Sequence, residues 1–295
     1  MTNKKQTIIR LAVYLLISFG LTFSIFFIYV GNFGWTVSSS WYGVMATVAM
    51  LMPAIANILT RMITKEGLED SYLSVKFKGK VRYYVIALVL PVIIGMIIPA
   101  ASVLILLPQG SLGKVTGSIN LWEVFCNTIY IAGVTVANLL LGFGEEFGWR
   151  AYLIPKLEKL MPFPAAIFVG GVIWGLWHAP IIACGHNFGK GYSGDPWLGI
   201  VLMCIFCVMT GVYLTALTKA TGSVFAASLA HIAINNICST VTNSILVSDE
   251  NIALQLTEKS FEFSVINMGI ICTLTMVSGI IILLIMKKSS SDKKE

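Results

Sequence analysis

The sequence predicts an all-α membrane protein with about eight transmembrane helices and both termini in the cytoplasm. Of its 295 residues, 57% are apolar and only 12% are charged, about half the charged fraction that is usual in soluble domains. The mean hydropathy of +0.84 is too high for a soluble protein with a single anchor. We expect residues 1–295 to form a single membrane domain, with no cleavable signal peptide and no attached soluble domain.

Eight apolar segments are long enough to span a bilayer, which requires about 20 residues in a helix. Turn residues separate them, notably Pro108 with Gly110 and Gly191 with Gly194. The predicted spans are residues 9–30, 42–61, 83–107, 127–154, 163–184, 197–218, 222–246 and 263–286.

The basic residues set the predicted orientation. An even number of spans puts both termini on one side, and that side holds 17 of the 20 Lys and Arg residues. The opposite side holds only Lys114, Lys190 and Lys259. Because cytoplasmic loops are enriched in Lys and Arg, the termini are predicted to be cytoplasmic. The net charge of +6 is explained in this way and does not require a nucleic-acid partner.

Ionisable residues interrupt the fourth predicted span, where Glu145, Glu146 and Arg150 lie in the segment LLLGFGEEFGWRAY. A charge at bilayer depth costs about 2.5–3.5 kcal/mol on insertion scales, so such residues usually have a function. Glu146 and Arg150 are four residues apart and are predicted to pair on one helix face. Glu145 points about 100° away and is predicted to lack a dedicated partner. A partly desolvated carboxylate of this kind can act as a general base.

Two later spans each carry a histidine, His178 and His231. At 1.5 Å per residue, Glu145 and His231 lie about 14 Å into their helices and His178 about 22 Å. The two depths of about 14 Å agree, whereas His178 matches them only if its helix enters the membrane later or is tilted. On that condition the three residues are compatible with one site slightly inside the membrane on the cytoplasmic half.

Glycine pairs flank the ionisable residues, with Gly144 and Gly148 around the glutamates and Gly171 and Gly175 before His178. Small residues at this spacing allow close helix packing, which is predicted to bring the fourth and fifth spans together.

Two chemical roles fit His231 and Asn235, which share a helix face. They could donate hydrogen bonds to the oxyanion of a tetrahedral intermediate. Alternatively, His231 could ligate a zinc ion with His178 and Glu145, since two histidines and a carboxylate suit a catalytic Zn²⁺. The compact HExxH arrangement is absent from the sequence, so the spacing alone does not choose between them.

Structural alternatives apply to each of these residues. A membrane histidine often only bonds a neighbouring helix, and Glu146 with Arg150 could be a buried structural pair. Such residues could also form a transport relay, although inverted repeats and broken helices are not predicted here. We interpret His186 as a loop residue without a catalytic role, and the six cysteines as small packing residues.

Three motifs on successive apolar segments carry a resemblance to a known family: Glu145-Glu146-x-x-x-Arg150, Trp174-x-x-x-His178 and His231-x-x-x-Asn235. This order resembles the CAAX protease and bacteriocin-processing (CPBP, or Abi) family of intramembrane proteases over about residues 120–245, the predicted catalytic core. Trp174 is a departure, because the family often has Phe there. The ring is kept, and the larger side chain is expected to reshape the cavity.

The resemblance implies an eight-helix membrane endopeptidase with a site open to the cytoplasm. Glu145 would activate the attacking water with help from His178. His231 and Asn235 would stabilise the oxyanion, and Arg150 would hold the glutamates in place. The resemblance leaves the catalytic type open between a metal-free glutamic protease and a zinc enzyme.

The resemblance implies substrates that are lipidated peptides or membrane proteins, including prenylated CAAX tails. It also fits peptide signalling or bacteriocin immunity, and we expect a bacterial cell-membrane location. The principal alternative is a non-catalytic immunity or membrane binding protein that retains the pocket.

Overall fold

A computed structural model of the chain describes residues 4–246 and 249–291. Lys293 and Lys294, which belong to the predicted basic tail, lie outside the described residues. The first half of the chain contains α1 (Lys4–Phe33), α2 (Tyr42–Ile63), α3 (Val81–Leu106), α4 (Ser111–Ser118), α5 (Leu121–Ala137), α6 (Leu139–Gly148) and α7 (Ile154–Glu158). A π-helical turn, Trp149–Leu153, joins α6 to α7.

The second half begins with α8 (Phe163–Trp177), α9 (Ala179–Ala183), α10 (Trp197–Thr221) and α11 (Val224–Ala233). It continues through α12 (Ser239–Leu246), α13 (Glu250–Glu258) and α14 (Ser260–Ser291). A second π-helical turn, Ile234–Cys238, joins α11 to α12. Both π turns adjoin predicted site residues, as is frequent at functional sites.

Within the described ranges, six helical segments are long and apolar enough to cross a membrane, which makes this a multi-pass integral membrane protein. They are α1, α2, α3, α10, residues Val224–Leu246 and residues Ser260–Ser289. The count is seven if the bent pair Leu121–Ala137 and Leu139–Glu158 is taken as one span. The fifth predicted span contains only the 15-residue α8 before it breaks. The count of about eight, and the cytoplasmic termini, therefore stay predictions.

Two breaks interrupt the helices that were predicted to be continuous. The chain bends by 53° between α5 and α6 at Asn138, and it breaks again at His178 between α8 and α9. Pro180 lies at the start of α9 and has no backbone N–H to continue the ladder of α8. The prediction that broken helices are absent was therefore wrong, and it no longer argues against a transporter.

One face of the bundle collects the basic helix ends. Glu66, in the α2–α3 connection, forms ion pairs with Lys156 of α7 and with Arg10 of α1, the latter at 3.3 Å. Lys219 at the end of α10 pairs with Glu158 at 2.8 Å. These contacts bring the start of α1, the short helix α7 and the end of α10 to the same side of the bundle. We call this side the basic face.

Helix ends at the basic face also fix where α11 begins. Gly222 has a φ of 67°, which favours glycine, and it ends α10. The Ser223 hydroxyl then accepts a hydrogen bond from the Phe225 N–H at 3.4 Å and caps α11. This tight turn starts α11 at the basic face, and His231 follows two turns later.

The glycine pairs allow close helix packing, but with partners other than those predicted. A methyl group at Gly144 would lie 2.6 Å from the carbonyl oxygen of Met50 on α2. One at Gly171 would lie 2.5 Å from the Cα of Val208 on α10. The pairs therefore dock α6 on α2 and α8 on α10, and the prediction that they join the fourth and fifth spans directly was wrong.

We predict that Gly171→Ala destabilises the bundle by about 1–3 kcal/mol, because the added methyl overpacks the α8–α10 contact. The matched control is Gly20→Ala on α1, where a methyl group would meet nothing within 4 Å. Thermal unfolding in detergent measures both variants. Equal melting temperatures for the two would contradict the close α8–α10 packing.

Candidate active site

The two glutamates of α6 have different surroundings although they are adjacent in sequence. Glu146 is fully buried, with 0% of its surface exposed, while Glu145 is 3% exposed and lines a cavity. The 100° step between neighbouring helix positions turns one carboxylate into the protein and the other toward the cavity.

Glu146 is the centre of a buried ionic cluster. Its Oε1 accepts a hydrogen bond from Arg150 Nη1 at 3.0 Å, the pairing predicted from the four-residue spacing. The same oxygen accepts one from His231 Nδ1 at 2.7 Å. The guanidinium carbon of Arg150 also lies 4.0 Å from the ring centre of Trp174, a cation–π contact. The cluster compensates a carboxylate that could not be buried alone.

His231 is therefore held through Nδ1, which leaves Nε2 for the cavity. Nε2 lies 3.9 Å from Oε1 of Glu145, a distance that one shared water molecule can bridge. The contact between His231 and Glu146 was not predicted, because the sequence pointed only to Arg150 as a partner of Glu146.

Glu145 is fixed by indole groups. Its Oε2 accepts a hydrogen bond from Trp174 Nε1 at 2.8 Å and a longer one from Trp149 Nε1 at 3.4 Å. The prediction that Glu145 lacks a dedicated partner was thus wrong, because both donors come from aromatic residues whose tertiary positions the spacing does not give. Both donors are neutral, and they engage Oε2 rather than Oε1.

His178 lies at the break between α8 and α9. Its Nδ1 donates a hydrogen bond to the Trp174 carbonyl oxygen at 2.8 Å, which leaves the lone pair on Nε2. The Trp177 ring contacts the imidazole edge to face, with centroids 4.9 Å apart. These two contacts hold the imidazole in one orientation at the cavity.

The predicted catalytic residues converge on one cavity of about 490 Å³. Glu145, Trp174, His178, His231 and Asn235 all line it. Asn235 lies within the second π turn and is exposed. The supporting pair Glu146 and Arg150 lies behind the cavity wall. The catalytic roles of the lining residues stay predictions.

His186 also lines this cavity, although the sequence indicated only a loop residue. The Tyr42 hydroxyl donates a hydrogen bond to His186 Nδ1 over 2.7 Å when that nitrogen is unprotonated. Burial lowers the pKa of His186 to about 4, so its ring is neutral at pH 7. The contact joins the α9–α10 loop to the start of α2, and no sequence signal links these positions.

The zinc alternative would use Glu145, His178 and His231 as ligands. Among the residues that the structure describes, no group of three His, Cys, Asp or Glu side chains could hold a metal ion. Both histidines donate a hydrogen bond through Nδ1, His231 to Glu146 and His178 to the Trp174 carbonyl, which leaves the Nε2 of each ring free, as in a metal-ligating imidazole. The zinc set of Glu145, His178 and His231 stays a prediction.

We predict that Arg150→Ala destabilises the protein by about 3–5 kcal/mol, because it leaves the buried Glu146 without its cation. Lys219→Ala is the matched control. It removes a basic residue from a partly exposed ion pair with Glu158, which is worth about 0–1 kcal/mol. Denaturant unfolding in detergent gives both values. A loss for Arg150→Ala no larger than for Lys219→Ala would contradict the central role of the cluster.

Comparisons with known proteins support the resemblance read from the motifs. Residues 127–237 match the family described as type II CAAX prenyl endopeptidase Rce1-like. The chain is also similar to CAAX prenyl protease 2 of Methanococcus maripaludis, with 26% identity over 98 residues. That stretch covers 33% of this chain and 36% of the relative, so the chain matches about a third of that protein's length. The matched segment contains all three motifs, and it supports the resemblance of this multi-pass membrane protein to the CPBP family, of the Rce1-like type.

Proposed function

We propose that this protein is an intramembrane endopeptidase that hydrolyses peptide bonds with a glutamate-activated water. The observation that carries the proposal is the convergence of Glu145, His178 and His231 on one cavity inside a membrane protein. The family match over residues 127–237 supports the same reaction class.

In the proposed mechanism, a water molecule lies between Glu145 Oε1 and the Nε2 of His178. Glu145 removes one proton while the water oxygen attacks the scissile carbonyl carbon, which forms a C–O bond and an oxyanion. The tetrahedral intermediate collapses, the C–N bond breaks, and the proton held by Glu145 passes to the leaving nitrogen. The products are a carboxylic acid and an amine.

In this mechanism, His231 and Asn235 stabilise the oxyanion. His231 already donates through Nδ1 to Glu146, so a second donation through Nε2 requires a doubly protonated ring. The Glu146 carboxylate supplies the compensating charge, as a buried acid does for the histidine of a catalytic triad. Arg150 holds Glu146 in place, and Asn235 adds an amide donor.

The cavity walls support the proposed substrate class. Beside the polar site, the cavity is lined by apolar side chains such as Phe26, Met50, Ile98, Met203 and Phe206. Such walls suit a peptide that carries an apolar segment or a lipid group. The proposed substrates are therefore membrane-associated or lipidated peptides, among which prenylated CAAX tails are the first to test. We propose that the reaction proceeds without a metal cofactor.

We predict that Glu145→Gln lowers kcat by about 10²–10⁴-fold, because the amide cannot accept a proton from water. The assay uses the purified full-length chain with an internally quenched farnesylated CAAX peptide and an acylated peptide without that motif. Glu123→Gln, at an exposed position of α5, is the matched control and is expected to retain activity. Wild-type activity is expected to survive a strong chelator.

Three outcomes would contradict parts of this proposal. Equal activity of wild type and Glu145→Gln removes this residue from the chemistry. Loss of activity with the chelator, restored by Zn²⁺, overturns the metal-free mechanism. Tight peptide binding without cleavage of either probe favours the non-catalytic binding protein.

We predict that Trp174→Phe lowers kcat about tenfold or more with little change in KM. The substitution keeps the ring beside Arg150 but removes the 2.8 Å hydrogen bond to Glu145. Hydrogen bonds to charged groups contribute about 1.5–3 kcal/mol. Trp149→Phe removes only the 3.4 Å bond and is expected to have the smaller effect. The reverse order would show that Trp174 does not position the carboxylate.

A further inference from the structure

His186 belongs to the α9–α10 loop, whose backbone is fixed on both sides of this residue. The His186 N–H donates a hydrogen bond to the Ile181 carbonyl oxygen at 3.2 Å, and the His186 carbonyl oxygen accepts one from the Phe188 N–H at 2.8 Å. Asn187 lies between them with a φ of 65°, a left-handed conformation that asparagine adopts more readily than most residues. The Phe188 side chain is buried in the core of the bundle. The loop therefore holds the backbone of His186 in one place.

The imidazole of His186 is oriented by Tyr42 at the start of α2. The Tyr42 hydroxyl lies 2.7 Å from His186 Nδ1, and the two ring centres are 6.1 Å apart. Within the described part of the chain the hydroxyl has no other hydrogen-bond partner, so it donates its proton to Nδ1. A neutral imidazole carries one N–H, which this contact places on Nε2.

The His186 ring is neutral at pH 7. Burial, and after it the nearby His178, lowers the pKa of His186 to about 4, while Glu145 opposes the shift only in part. Both residues act on the ring because all three line the same cavity. The ring therefore presents a single proton, on Nε2.

The Nε2–H group of His186 is a donor that the proposed mechanism does not use. Among the residues that the structure describes, none accepts a hydrogen bond from this nitrogen, whereas Nδ1 is occupied by Tyr42. Glu145 Oε1 and His178 Nε2 are acceptors, and the mechanism assigns both to water. The cavity therefore offers a substrate one oriented donor beside these two acceptors.

A neutral N–H donor suits an uncharged acceptor. A peptide backbone carbonyl oxygen is such an acceptor, and one is present in every residue on either side of a scissile bond. A carboxylate is bound more strongly by a charged donor such as Arg or Lys, and the described residues that line this cavity include neither. The chemistry at His186 therefore favours a backbone carbonyl over a terminal carboxylate.

We propose that His186 binds a backbone carbonyl oxygen of the substrate through Nε2–H, close to the scissile bond, and that Tyr42 positions its ring. This inference rests on the proposed endopeptidase function and adds a substrate-binding residue to it. His186 holds the peptide while Glu145 and His178 hold the water, which keeps the reacting groups in a fixed relative orientation.

The first test measures steady-state kinetics of His186 variants with the internally quenched peptides. His186→Phe keeps an aromatic ring but removes both nitrogens. It is expected to raise KM about three- to tenfold with little change in kcat, the effect of one lost neutral hydrogen bond. His186→Gln keeps a side-chain N–H donor and is expected to recover most of the loss.

The control for this test is Tyr130→Phe, at an exposed position of α5, which is expected to keep the wild-type KM. A wild-type KM for His186→Phe would contradict the proposal. Equal losses for His186→Phe and His186→Gln would show that the N–H donor is not what binds the substrate.

The second test asks whether Tyr42 acts through His186. Tyr42→Phe releases Nδ1 and is expected to raise KM about two- to fivefold, because the ring proton is then shared between the two nitrogens. In the His186→Phe background the same substitution is expected to leave KM nearly unchanged, since the ring it positions has no nitrogen. If the effects of the two substitutions multiply, Tyr42 does not position His186.

The third test identifies the acceptor on the substrate. In a series of probe peptides, one backbone C=O outside the scissile bond is replaced at a time by C=S, which accepts hydrogen bonds more weakly. At one position the wild-type KM is expected to rise about threefold or more, while that of His186→Phe does not change. Identical responses of the two enzymes at every position would exclude a backbone carbonyl as the ligand of His186.

Direct binding separates this inference from the proposed function, because the Kd of a labelled peptide is measured without turnover. If the wild type cleaves neither probe but His186→Phe weakens peptide binding about three- to tenfold, the endopeptidase assignment fails and the binding role of His186 stands. If the wild type cleaves and His186→Phe has the same KM and Kd, the endopeptidase stands and the role of His186 is overturned.

Discussion

The structure depends on one carboxylate oxygen, Oε1 of Glu146, which is shared by Arg150 and His231. Inside a membrane protein such a charge persists only when it is compensated. The hydrogen bonds of Glu146 with Arg150 and His231 join α6, the following π turn and α11 at one point. It also fixes the orientation of the His231 ring and leaves the neighbouring Glu145 facing the cavity. The pairing that allows Glu146 to be buried therefore also assembles the site.

Irregular backbone accompanies this cluster. The π turn Trp149–Leu153 carries Arg150, the π turn Ile234–Cys238 carries Asn235, and α8 ends at His178. Non-helical or strained backbone at membrane depth is tolerated where it is buried in protein or lines a cavity. The break at His178 and the second π turn line the same cavity, and the first π turn carries Arg150 behind its wall, so the breaks in regular structure surround the polar centre of the bundle.

The sequence predicted the parts of this arrangement that depend on local spacing or on composition. Apolar runs gave the helical membrane fold, and the four-residue spacing gave the pair of Glu146 and Arg150. The ordered motifs indicated that Glu145, His178, His231 and Asn235 act together, and these residues do line one cavity. The contacts of Glu146 with His231 and of Glu145 with Trp174 span 85 and 29 residues. Such contacts depend on how the helices dock, which periodicity does not reveal.

For the same reason, the sequence did not predict the packing partners of the glycine pairs or the position of His186 at the cavity. A glycine pattern predicts close packing but does not name the partner helix, and here the partners are α2 and α10. The role of His186 at the cavity depends on a loop that returns to Tyr42, 144 residues earlier in the chain.

The central claim is that Glu145 activates water and does not itself attack the substrate. A single turnover with excess enzyme in H₂¹⁸O tests this directly, with mass spectrometry of both the product and the enzyme peptide that contains Glu145. The account predicts one ¹⁸O in the new product carboxylate and none in Glu145. Incorporation of ¹⁸O into the Glu145 carboxylate would reveal a covalent acyl-enzyme and would contradict the account.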